Sequence, residues 1–115
     1  MWTQFLLTLV LLPLVDLPWL WLSSTFALPA YEKIQGRPLR PQLAAAIPVY
    51  LALAYLVGQQ TSVTGAAATG AAVYAVYDFT VLTLFDDFTL PLALADTLWG
   101  GALFAIVYSI VRAVF

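Results

Sequence analysis

The chain has 115 residues, of which 63% are hydrophobic and 9% charged, and its formal net charge is -2. A soluble domain carries about 25% charged residues, so the polar side chain here cannot cover a water-facing surface, and the composition is that of an integral membrane protein. Four basic residues leave no footprint for nucleic acid. The lack of Cys excludes disulfides and thiolate chemistry, and the lack of His removes the commonest general base and metal ligand.

With about 20 residues per span, the length allows four helices, short loops and one domain over residues 1–115. The expected fold class is an all-α integral membrane protein, a four-transmembrane-helix bundle. A β-barrel would need many more strands of alternating polarity. The first apolar segment covers residues 2–22 and contains Pro13, Asp16, Pro18 and Trp19. It lacks a basic leader and a cleavage site of small residues, so it is expected to be a span and not a signal peptide. Trp2 is an expected interface anchor.

A basic loop over 29–41 follows, holding Lys33, Arg37 and Arg40 and broken by Pro29, Pro38 and Pro41. The second span is expected over 42–58, the shortest of the four, with Pro48 and Tyr50 inside it. The third covers 63–85 and opens TGAAATGAAVYA, whose small residues permit close backbone approach. Its stripe of Ala71, Tyr74, Asp78 and Leu82 is expected to face protein, making this span central. The fourth covers 89–111, with Thr89 as cap, Pro91 in the first turn, and Gly100 and Gly101 beside Trp99.

Three spans each carry one aspartate. Asp16 and Asp78 lie six or seven residues before the ends of their spans, and Asp96 lies about seven residues into the fourth. The chain reverses direction between spans, yet all three fall about 9 to 12 Å below the same boundary. A charge at the bilayer centre costs about 2.5 to 3.5 kcal/mol, so the carboxyls are expected to face the bundle interior and to titrate as a group. Arg40 is the expected snorkelling counter-charge. Aromatics accompany the acids: Trp19 and Trp99 each follow an aspartate by three residues on the same helix face, Tyr74 lies four residues before Asp78, and Tyr77 adjoins it, so a Tyr hydroxyl or Trp N–H is expected to find its partner in a carboxyl. The candidate binding or proton-site residues are Asp16, Trp19, Tyr74, Tyr77, Asp78, Asp96 and Trp99. No metal site and no cofactor is expected.

These residues carry a resemblance. The chain resembles the predicted membrane-protein family called domain of unknown function 2177, through Asp16, Trp19, Tyr31 and Gly36, then Pro48, Tyr55 and Gly58. It continues through Tyr77, Asp78 and Thr80 in VYAVYDFT and through Asp96, Trp99 and Gly100 in ADTLWGG. The family usually has Asn where Val81 stands here. The resemblance implies four membrane helices and no particular activity.

Without His, Cys or a clear nucleophile, the expected function is non-enzymatic: a structural or accessory membrane component, the Asp, Trp and Tyr groups binding the bundle together. The alternative is a small proton-coupled or cation transporter acting as a dimer, with the three aspartates as its site. The expected partners are the lipid bilayer and a second copy or a larger membrane complex. By the positive-inside rule, loop 29–41 faces the cytoplasm and both termini the opposite side. Because the chain has no native cysteine, this orientation is directly testable. In right-side-out vesicles, a cysteine at Arg37 should react with an impermeant maleimide only after permeabilisation, and one at Thr61 without it. The reverse pattern would invert the topology.

Overall fold

A computed structural model describes residues 2–38 and 42–115. Its helices are α1 (Trp2–Gln35), α2 (Ala46–Gly58, preceded by a 3-10 turn at Leu43–Ala45), α3 (Val63–Leu84) and α4 (Leu90–Val114). They run up and down. The start of α1 lies with the ends of α2 and α4 at one end of the molecule, and the last turns of α1 meet the α3–α4 turn at the other. The protein is thus an all-α integral membrane protein built as a four-helix bundle.

Among the described residues, three helices are long and apolar enough to cross a membrane, while Leu43–Gly58 is shorter. That segment reaches about 24 Å at 1.5 Å per residue, against a hydrocarbon core of about 30 Å. A helix of this length crosses a bilayer only with local thinning or with its flanks placed in the interface.

The largest difference from the sequence reading is in α1. The helix does not stop near Leu22 but runs 34 residues to Gln35, through Pro13, Pro18 and Pro29. The expected loop over 29–41 is therefore helical for its first half. The physical reason is packing: Ala30 is buried with Phe88, Leu92 and Ala93, and Ala27, Tyr31 and Ile34 pack against them. That apolar cap over the α3–α4 turn outweighs the one hydrogen bond that Pro29 removes. Gly36, at φ 78°, ends the helix in the left-handed conformation that glycine tolerates. Arg40 and Pro41 lie outside the described residues.

The small residues of α3 act as expected, but the central helix is α4. It buries Leu92, Ala93, Gly100, Gly101, Leu103, Phe104, Val107, Tyr108 and Val111, whereas α3 buries Ala66, Gly70 and Asp78. The thinness of α3 lets it lie close against α4 without being enclosed itself. A Cβ added at Gly70 would sit 2.7 Å from Phe104 Cβ and would collide with the Gly100 carbonyl. One added at Gly100 would sit 2.7 Å from the Gly70 carbonyl and would strike the Tyr74 ring. Both helix starts are capped, Ser62 accepting from Gly65 N at 3.0 Å and Thr89 from Leu92 N at 3.4 Å. The cap at Thr89 and the early Pro91 agree with the sequence reading.

Gly100→Ala should therefore destabilise the protein by about 1 to 3 kcal/mol through overpacking, read as an earlier midpoint in SDS-induced unfolding followed by circular dichroism. Gly58→Ala, where an added Cβ meets nothing within 4 Å, should leave the midpoint unchanged.

Candidate functional site: a carboxyl-lined intramembrane cavity

The two D-x-x-W segments do not act within their own helices. Trp19 of α1 donates its indole N–H to Asp96 Oδ1 of α4 at 2.8 Å. Trp99 of α4 donates to Asp16 Oδ1 of α1 at 2.7 Å. Because the helices run antiparallel, each aspartate meets the other helix's tryptophan, and the exchange is reciprocal. The two indoles stack between the helices, their ring centroids 5.8 Å apart and their planes 19° from parallel. Tyr50 of α2 donates its hydroxyl to Asp16 Oδ2 at 2.7 Å, so both oxygens of Asp16 are used. Asp16 is 5% exposed. A carboxyl held by two donors in apolar surroundings is the arrangement a bundle core tolerates.

Asp78 differs. It is 1% exposed, and its Oδ2 has no hydrogen-bond partner. The Asp96 carboxyl lines the same cavity and is an acidic neighbour of Asp78. Two carboxylates are both acceptors, so the pair is satisfied only when a proton or another donor stands between them. Spacing along the sequence pairs Asp78 with Tyr74 or Tyr77, and the structure does not. The Tyr74 ring instead packs against Gly100. The Tyr77 hydroxyl lies 3.0 Å from that of Tyr31, linking α3 to the last turns of α1. The i, i+4 spacing set Tyr74 near Asp78 along α3, but the close α3–α4 contact took its ring.

All seven candidate residues are thus placed. Asp16, Trp19, Tyr74, Tyr77, Asp78 and Asp96 line one cavity of about 430 Å³, and Trp99 stacks behind Trp19. The volume lies in the range of small-molecule sites. Leu53, Val73, Phe88 and Leu92 form apolar walls. Leu20, Leu28, Val49 and Tyr77 line it too while facing outward, so the cavity has a rim at the lipid-facing surface. Ser23 and Ser24, which are not among the seven candidates, also line it. Their position one turn beyond Trp19 in an apolar helix was the available signal. A second cavity, of about 210 Å³, lies at the other end beside Gln4, Gln60 and Arg112, and none of its described lining residues is acidic.

Fold and site together define a multi-pass helical membrane protein with an internal carboxyl cluster. The chain matches the family described as "Predicted membrane protein (DUF2177)" over residues 1–112 and belongs to that family. No match is found among curated proteins or among solved structures.

Asp16→Leu should leave the Tyr50 hydroxyl and the Trp99 indole N–H without acceptors, a loss on the order of 2 kcal/mol. The Asp16→Asn variant keeps one acceptor oxygen and should recover about half of that loss in SDS-induced unfolding.

Proposed function

We propose that the protein is non-enzymatic, binds an organic cation in the carboxyl-lined cavity and carries it across the bilayer in exchange for a proton. One observation carries this reading: Asp78 is buried with Oδ2 unpartnered, in a cavity that also receives Asp16 and Asp96. An unsatisfied acceptor in hydrocarbon costs free energy, which a ligand that donates to it recovers. Asp16, with both oxygens bonded, holds the bundle together, whereas Asp78 lines the cavity with one oxygen still lacking a donor. Intramembrane acids lining a cavity commonly mark ion or substrate pathways. Four helices enclose little pathway, so the working unit in this reading is a dimer. Its basic end, with Lys33 and Arg37, faces the cytoplasm.

A second reading, an accessory subunit of a larger membrane complex, draws on the outward face of α1. There Leu6, Val10, Leu14, Leu17 and Trp21 are all more than half exposed. The mass of the particle extracted in mild detergent separates the two readings. A homodimer supports the carrier, and a defined complex with other proteins supports the subunit.

The carrier reading predicts proton movement in proteoliposomes holding a trapped pH dye when an organic cation is added outside. Asp78→Asn should reduce that movement to the level of protein-free liposomes. Unchanged flux would remove the aspartate, and with it this reading.

A further inference from the structure

Resting on the cation-site reading, we infer that the ligand is a lipophilic primary or secondary ammonium that enters the cavity sideways from the lipid. The inference comes from the kind of satisfaction that Asp78 lacks, from the walls, and from the entrance.

Oδ2 of Asp78 lacks a donor, and the neighbouring Asp96 carboxyl supplies only acceptors. When no proton bridges the two carboxyls, what completes the pair is a group that carries positive charge and at least two N–H bonds, one for each carboxyl. A primary or secondary ammonium has both. A quaternary ammonium has the charge without the donors, and an alcohol has one donor without the charge. Around this polar floor the cavity is apolar, through Leu53, Val73, Phe88 and Leu92. Such walls take an alkyl or aryl body and gain nothing from a bare, strongly hydrated cation. The Trp19 side chain, fixed by Asp96 and by stacking on Trp99, stands beside the floor, where its ring adds a cation–π surface.

The entrance follows from the helix packing. α1 lies against α2 and α4, and α3 lies against α4, while α1 and α3 barely touch along the cavity. Their hydroxyl link at Tyr31 and Tyr77 closes one end. Leu20 and Leu28, which line the cavity, are 49% and 42% exposed. They stand where the aliphatic part of an amphiphile would pass from the acyl chains into the bundle.

The test is isothermal titration of the full chain in phosphatidylcholine nanodiscs, with empty nanodiscs subtracted for partitioning. The probes are decylammonium, decyltrimethylammonium, decanol and methylammonium. Decylammonium should bind about tenfold or more tightly than each of the others. Asp78→Asn should weaken it at least as much, and Leu20→Trp, a lipid-facing change that leaves the core intact, should weaken it by narrowing the entrance. Adding phosphatidylethanolamine to the nanodiscs separates the sources of the ammonium. Competition supports the lipid headgroup as the ligand, and its absence supports a free amine.

Equal binding of decylammonium and decyltrimethylammonium, both lost in Asp78→Asn, would overturn the N–H requirement and leave the cation site standing. Equal binding of methylammonium and decylammonium would overturn the apolar body. Binding untouched by Asp78→Asn, or no binding by a protein whose near-ultraviolet circular dichroism is native, would overturn both this inference and the cation site.

Discussion

The reciprocal exchange of hydrogen bonds between α1 and α4 is the interaction on which the rest of this structure depends. Trp19 reaches Asp96 and Trp99 reaches Asp16, with the two indoles stacked between them. In lipid there is no hydrophobic force to draw helices together, so packing and polar contacts between helices fix the register. A slip of one residue along either helix would break both bonds and leave two indole N–H groups without acceptors. The same exchange recruits α2, because the second oxygen of Asp16 accepts from Tyr50.

The glycine contact between α3 and α4 performs a different task. Gly70 and Gly100 bring the backbones so close that no side chain fits between them. That approach brings Asp78 and Asp96 to one cavity. It also leaves α3 apart from α1, and the cavity opens between them. Polar adhesion on one side of α4 and steric closeness on the other together create the chamber. Asp96 belongs to both, accepting from Trp19 and facing Asp78.

Much of this was legible in the residues. Asp16, Asp78 and Asp96 fall at one depth by simple counting along alternating spans, and the structure gathers them around one cavity. The small residues at the start of α3 announced a close helix contact, and Thr89 with Pro91 announced the start of α4. Less legible were the partners. Spacing within a helix pointed Trp19 toward its own Asp16 and Tyr74 toward its own Asp78, because only neighbours along the same helix can be read from a sequence. The length of α1 was hidden too. Pro29 and the basic residues read as a loop, while the apolar cap formed by Phe88 and Leu92 lies some sixty residues away along the chain.

By itself, then, the sequence determined the membrane class, the helical fold, the layer of carboxyls and the family, since these follow from composition, hydropathy and position along one chain. The tertiary structure alone decided which donor meets which carboxyl, that α4 and not α3 is central, and that Asp78 is left with an unpartnered oxygen. The physical reason is that hydrogen bonds and close contacts between helices depend on rotation and register. In these helices apolar residues lie on every face, and hydropathy gives no sign of which face turns inward.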